Sequence, residues 1–482
     1  MMRWLIPVLL LILVPGILPA EEPAVFTSTR YVVDMAFSAN GALWVATRGG
    51  VLCRNADGSW RKFTVEDGLP SNEARRINIY LQPEKVLVDF PKISSEWSGG
   101  KWTAKQMVQM TSKVTVFPYG HPTPAIEPSS HTGSHVSARC SADGRAINAM
   151  FGDCLYEYID DHWTRLDIDL PAKAREITAI TSKDNAIWLG TRDEGVWEYD
   201  GKVWTQHLQP NEPYSHNIQC IAEYQGNVYF STLEEGLVVL TKDEWRHISR
   251  PEMSSNAPRQ MVKFGGSLYI RHGDGKVDRR DGDKWTKDIC ANLPRKQVSA
   301  IASDSERLYA AQWGGWSEFD GKTWTHHLKF PELQGCAITA ILPQKDTIWI
   351  GTQGRGLAEI DRTSKTVRMH DERNGLTDDW IKCIACAGNT VYAGTFVSGL
   401  FTKDGNHWLS VPGIGNTEIT DLRSDASGSI LATTRSEVWQ RASDGAVHRL
   451  DPRISEAQAI CACENGTWVG TRTGIWFLPA SR

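Results

Sequence analysis

Apolar and polar positions alternate along this chain in short bursts. "EITAITSKD" from Glu176 alternates and ends in polar residues. "IWLGT" from Ile187 and "GVWEYD" from Gly195 follow, and "KVWTQHL" comes after Asp200-Gly201. Alternation with a period of two, cut by turn residues, predicts four short strands. Asp-Gly is a hairpin signal because glycine accepts the positive φ the turn needs. It returns at Asp57-Gly58, Asp281-Gly282 and Asp320-Gly321. Nothing in these units has the spacing of an amphipathic helix.

The four-strand pattern recurs. Aligned on its anchor in the second strand, it falls on Trp44, Leu87, Asn148, Trp188, Tyr229, Tyr269, Tyr309, Trp349, Tyr392, Leu431 and Trp468. From Trp188 to Tyr392 the steps are 41, 40, 40, 40 and 43 residues. A fixed period of four antiparallel strands predicts the blades of a β-propeller. Glycine heads the third strand at Gly50, Gly195, Gly236, Gly275, Gly315, Gly356, Gly399 and Gly474. Small residues share one register of the first strand, at Ala138, Ala179, Cys220, Ala300, Ala340, Cys383 and Ala459. The fourth strand carries Trp60, Trp102, Trp163, Trp204, Trp245, Trp285, Trp324 and Trp408. This distribution explains why 20 Trp outnumber 13 Phe and 12 Tyr. Blades converge near an axis and fan apart outside, so these indoles read as core between sheets rather than as a sugar platform.

The expected fold is therefore all-β, a propeller of about eleven four-stranded repeats. Eleven exceeds the usual four to eight blades of one ring. Two rings are expected, with one large or distorted ring as the alternative. The last unit supplies "AQAICACE", "TWVGTRT" and "GIWFLPAS" without a fourth strand, whereas "PAVFTSTR" (Pro23 to Arg30) is a spare strand. The N-terminal strand is expected to complete the last blade and remove an open edge.

The run [IL]-W-[VIL]-G-T-x3-G-[VL]-x2-[YI]-D…W, followed by "NGLTDDWIKCIA" or "DGLPSNEARRINI", resembles the regulator-type propeller repeat of bacterial two-component sensors. It matches best at Ile187 to Trp204 and Ile348 to Ile384, and in part at Leu43 to Ile77, Val391 to Leu400 and Trp468 to Ile475. The resemblance implies ligand sensing, usually wired to a kinase. No kinase, immunoglobulin-like domain or membrane span follows Arg482, so the expectation is a solitary binding protein or the partner of a separate receptor.

Residues 1–20 have the layout of a secretory signal peptide: "MMRW" with its charge, the apolar "LIPVLLLILVPGIL", and Ala20 before "EEPA". The mature chain, 21–482, is expected in the periplasm or outside the cell, with no transmembrane segment. An insertion at 112–137, rich in Pro, Ser, His and Gly, stretches one step of the period to 61 residues. A net charge of −5 over 482 residues gives no nucleic-acid signature, and 10 Cys are too sparse for a disulfide-built scaffold.

Candidate chemistry is thin. His121, His131 and His135, beside Glu127, form a weak metal set without the tight pairing of known sites. "CIAC" (Cys383 to Cys386) has redox spacing, but on a strand its thiols read as structural. "DGKTW" (Asp320 to Trp324) is a hairpin turn rather than an aspartate box. No nucleophile elbow, phosphate loop or zinc-protease motif appears, so no cofactor is expected and catalysis is disfavoured. What recurs is an arginine after the Gly-Thr corner: Arg48, Arg192, Arg435 and Arg472. With the expected closure Arg435, Arg472 and Arg48 lie on three consecutive blades and would favour an anionic ligand. Equivalent places hold Gln353, Phe396 and Gln312. The leading expectation is a non-catalytic propeller that binds a glycan or protein on one ring face, as a sensory or accessory component. A polysaccharide lyase or hydrolase, and a cell-envelope scaffold, are the alternatives.

Overall fold

The computed structural model describes residues 22–81, 84–106, 137–140, 147–151, 154–159, 162–174, 176–242 and 244–480. The proposed signal peptide and nearly all of the 112–137 insertion, His121, His131 and His135 included, lie outside the described residues. So does the Trp163 side chain.

Eleven four-stranded antiparallel sheets account for the described strands. In chain order, sheets 1–4 span residues 32–63, 76–105, 137–166 and 177–207. Sheets 5–8 span 218–248, 258–286, 300–327 and 338–370, and sheets 9 and 10 span 381–410 and 419–449. Sheet 11 takes three strands from 457–479, and its fourth is Ala24–Phe26, paired antiparallel to Ile475–Pro479. The sequence pattern placed these strands well because each corner is chemically fixed. In the Gly-Thr corner the threonine hydroxyl donates across the turn, as Thr191 Oγ1 does to Gly195 O at 2.9 Å and Thr352 Oγ1 to Gly356 O at 2.8 Å. Gly356 has φ +71°, and a Cβ there would sit 2.1 Å from His370 O, so no side chain fits.

Inner strands pack in two sets. Those of sheets 5, 6, 7, 8, 9, 10 and 11 neighbour one another in that order, and that of sheet 11 packs back on sheet 5. The inner strand of sheet 1 packs between those of sheets 2 and 4, and that of sheet 4 also meets sheet 3. The contact is repeated in kind. The glycine of the Gly-Thr corner faces a β-branched residue that opens the next inner strand: Gly351 against Ile381, Gly394 against Ile419, Gly470 against Ile218 and Gly190 against Val32. Sheet 11 thus meets sheet 5, and sheet 4 meets sheet 1, as sheet 8 meets sheet 9.

The core lies between sheets. One cluster joins Leu43, Val45 and Leu52 of sheet 1 to Trp188 and Val196 of sheet 4, with Trp60 packed on it. Another joins Trp349 of sheet 8 to Val391, Phe401 and Trp408 of sheet 9. Fourth-strand tryptophans do sit between sheets, yet Trp60, Trp204, Trp245, Trp285 and Trp324 are half-buried, while the second-strand rings Trp44, Trp188, Tyr229, Tyr309 and Trp349 are buried. The small first-strand residues Ala179, Cys220, Ala340, Cys383 and Ala459 stand at β-bulges. Where the bulge carries a polar residue, its side chain caps the next sheet. Ile77 N donates to Asp34 Oδ2 at 2.8 Å, Ile301 N to Gln260 Oε1 at 3.0 Å, and Ile460 N to Asp421 Oδ2 at 3.1 Å.

Candidate functional site: the corner face

Turns between second and third strands share one face with the starts of the inner strands. The four sequence-predicted arginines all lie on these turns and are exposed. They do not form one rim. Arg435 and Arg472 stand on neighbouring sheets 10 and 11, but sheet 11 is followed by sheet 5, so Arg48 is not the third of a consecutive set. Its partner is Arg192: the Arg48 guanidinium lies 4.1 Å over the Tyr31 ring and that of Arg192 lies 6.0 Å from it. Carboxylates engage two of the four, with Arg192 to Glu176 at 2.7 Å and Arg435 to Glu418 at 2.6 Å. The Arg192 pair is exposed and worth at most about 1 kcal/mol, whereas the Glu418 side chain is 11% exposed. Arg472 has no ion pair among the described residues.

The position equivalent to these arginines in sheet 7 is Trp313 rather than Gln312. Gln312 pairs with Gly315, fills the threonine place of the corner, and donates from Nε2 to Ser317 Oγ at 2.6 Å. Trp313 is 51% exposed, unlike the buried tryptophans of the second strands. In sheet 9 the equivalent Phe396 stacks on Trp380, with centroids 4.1 Å apart and planes 20° apart. The corners of sheets 7 to 11 therefore read Trp313, Gln353, Phe396, Arg435 and Arg472. Two aromatics are followed by two guanidiniums on one face.

A recurrent His–Glu pair went unread in the sequence. His207 to Glu198 and His370 to Glu359 are each 2.8 Å, and His327 to Glu318 is 3.5 Å. Such pairs resemble catalytic dyads, but each histidine lies against a second- or third-strand indole, Trp188, Trp349 or Trp316. Repetition in one register with one type of ring partner marks them as wedges between sheets. Burial pushes the Cys383 thiol up, and that of Cys220 up to about 11, whereas the contact with Cys463 lowers Cys461. Asp320, at the Asp-Gly turn, is lowered to about 2 by the backbone N–H groups of Thr323 and Lys322. An open groove of about 820 Å³ runs between the outer strands of sheets 7 and 8, lined by His326, Lys329, Glu332 and Lys365, and Glu332 O accepts from Arg355 Nη1 of the sheet 8 corner at 3.2 Å.

Two crossings join the sheet sets beside that face. Residues 27–31 leave sheet 11 for sheet 1, and 208–217 leave sheet 4 for sheet 5. Glu212 binds them together: Thr29 N and Oγ1 donate to its Oε1 at 3.0 and 2.8 Å, and Lys62 Nζ lies 3.1 Å from its Oε2. His216 is buried here, its Nδ1 without a partner. Burial, and then the charge of Arg48, lowers it to about 4 from an ordinary 6.5. A histidine lowered on folding contributes stability that is full above 6.5 and is lost as pH falls toward 4. We expect denaturant titrations between pH 7 and pH 4 to show a loss of about 3 kcal/mol from this group. His216→Leu should flatten that part of the profile, and an unchanged slope would refute the assignment.

No family model and no curated protein matches the chain. Solved structures do. PorZ of Porphyromonas gingivalis, an essential bacterial surface component of the type-IX secretion system, superposes with a TM-score of 0.53 at 11% identity, over 96% of this chain and 73% of that one. The likeness is one of fold. The extracellular domain of the putative hybrid two-component system BT4673 of B. thetaiotaomicron gives 0.48 at 13% identity, over 94% of this chain and 70% of that one. That of BT3049 gives 0.48 at 14%, over 94% and 82%. Eleven four-stranded antiparallel sheets with inner strands side by side are the architecture of a β-propeller. No helix among the described residues is long and apolar enough to cross a membrane.

Proposed function

We propose that the protein is an exported, non-catalytic β-propeller of two rings, seven sheets and four, whose larger ring binds an acidic glycan on its corner face. The closed order of sheets 5 to 11, with Ala24–Phe26 completing the last, supports a seven-bladed ring, and the Gly190–Val32 contact supports closure of the smaller one. The observation that carries the function is the succession Trp313, Gln353, Phe396, Arg435, Arg472 along five neighbouring corners. Sugar rings present C–H faces that pack on aromatic side chains, and guanidiniums pair with carboxylates in a planar fork. The resemblance of the repeat to regulator-type propellers fits a sensory or accessory role.

A glycan array probed with the purified chain tests this reading. Binding should favour uronate-bearing glycans over neutral ones and fall at least tenfold both in Trp313→Ala and in the double variant Arg435→Ala/Arg472→Ala. Arg48→Ala, on the other sheet set, is the control and should bind as before. Retention of full binding by both corner variants would overturn the proposal.

A further inference from the structure

Sheet 6 breaks the repeat at one place. Where sheets 4, 8, 9 and 11 carry Gly-Thr, and sheets 1, 5, 7 and 10 another small residue before Thr or Gln, it carries Arg271-His272. Arg271 pairs with Gln260 on the inner strand, in the register that glycine holds at 190, 351, 394 and 470. That place looks into the gap before the next inner strand, so the Arg271 side chain enters between sheets 6 and 7 near the mouth of the seven-sheet set. Its Nε donates to Gln260 Oε1 at 2.9 Å and its Nη1 to His272 O at 3.2 Å. Arg259, at the bulge one residue before Gln260, donates from Nη1 to Leu233 O at 2.9 Å. Its Nε–Nη2 edge, the edge that receives a carboxylate side-on, makes no hydrogen bond to the described residues.

Neither guanidinium has a carboxylate within ion-pair distance among the described residues. Glu234, the acidic group acting on Arg259, does not reach it. The contrast with Arg423 is informative: that inner-strand arginine lies 3.2 Å from Asp421. Arg271 is enclosed enough that burial, and next the like charge of Arg259, lowers it to about 10. Both side chains are half-buried rather than sealed from solvent. In the same register one sheet earlier, the Ser231 hydroxyl is buried without a partner. Two neighbouring cations with no counter-charge oppose folding, and an incoming anion relieves both.

We propose that Arg259 and Arg271 form a carboxylate-binding site at the axial mouth of the seven-sheet set. The acid is either a free small carboxylate or the terminal uronate of a chain entering from the corner face. The site shares no residue with the Trp313–Arg472 succession, so it stands or falls separately from the glycan reading.

Calorimetric titration of the full chain at low ionic strength tests it, with acetate, D-galacturonate, oligogalacturonate, D-galactose and inorganic phosphate as probes. Galacturonate should bind one per chain, and galactose at least tenfold more weakly. Acetate binding as well as galacturonate assigns the site to a free small acid; a further tenfold gain with the oligomer assigns it to a glycan end. Arg259→Gln and Arg271→Gln should each weaken galacturonate binding at least tenfold. Galacturonate should raise the melting temperature of the unmodified chain and of Trp313→Ala, but not of Arg271→Gln. Should Arg271→Gln fail to fold, Arg259→Gln and Arg271→Lys carry the test, Lys keeping the charge without the fork. No binding of any carboxylate, tighter binding of phosphate, or full binding by Arg259→Gln would each overturn the assignment.

Discussion

Replacing Trp316 by alanine is expected to cost about 4 kcal/mol, the range for emptying a buried indole site. Trp316 is the second residue of the third strand of sheet 7 and is 0% exposed. Its ring stacks on Phe330, with centroids 5.0 Å and planes 16° apart, inside the cluster that joins sheets 7 and 8. The indole Nε1 donates to Glu318 Oε1 at 2.9 Å, and Arg307 Nη1 holds Glu318 Oε2 at 2.7 Å. Alanine therefore leaves a void and also removes a donor from a carboxylate that is 5% exposed at its side chain. Trp316→Phe keeps the stack and loses the donor, so it should recover more than half of the loss. Urea unfolding followed by far-ultraviolet circular dichroism measures both. In a repeat array the early transition is the one to follow, because unfolding of a long array need not be two-state. A shift equivalent to less than 1 kcal/mol in Trp316→Ala would contradict the packing described.

The second large effect is expected at Asp278, in the sheet that carries Arg271. Its carboxylate is 0% exposed and accepts from His272 Nε2 at 2.9 Å, Ser254 N at 2.7 Å, Ser254 Oγ at 2.5 Å and Asp288 N at 2.9 Å. Burial alone would raise this carboxyl, but the hydrogen bonds of His272, Ser254 and Asp288 outweigh it and hold it below the ordinary 3.8. Asp278→Ala strands His272, whose Nδ1 already lacks a partner, and two backbone N–H groups. Each orphaned group costs about 1–3 kcal/mol, so a loss of about 4 kcal/mol is expected. Because the folded carboxyl is lowered, its contribution is present above the unfolded value and disappears as pH falls through the folded one. Asp278→Asn retains an acceptor and should fall between the two. Denaturation midpoints at pH 7 for the three proteins decide the order, and equality of Asp278→Ala with the unmodified chain would refute the network.

The strands were legible because their grammar is local. The Thr191 hydroxyl, the Gly356 backbone and the Asp-Gly turns each fix a corner within a few residues, and the anchors fall inside the second strands throughout. Which sheets meet was not legible. The chain that ends in sheet 11 has sheet 1 next to its own first strand in sequence, yet the isoleucine that fills the space beside Gly470 is Ile218, in sheet 5. Nothing in the motif distinguishes Ile218 from Val32, since both are apolar residues opening an inner strand. Arg48 was misplaced for the same reason and lies beside Arg192 instead. Within the site, Trp313 escaped notice because most tryptophans here pack between sheets, although four residues beyond the Tyr309 anchor falls on it. Arg271 did leave a trace: "YIRHGDG" carries a charge where "WLGTRDEG" has glycine. Its meaning depends on the neighbouring inner strand, which a single repeat does not contain.

Sheet 11 pairs Ala24 with Phe477 and Phe26 with Ile475, and this imposes an order on biogenesis. A polypeptide made from its N-terminus presents Ala24–Phe26 long before Ile475–Pro479. Sheets 1 to 4 have all their own strands by residue 207, so that portion can mature while translation continues. The seven-sheet set has an unmatched seam until the ribosome has delivered residues 457–479, so the longest-waiting strand of the protein is Ala24–Phe26.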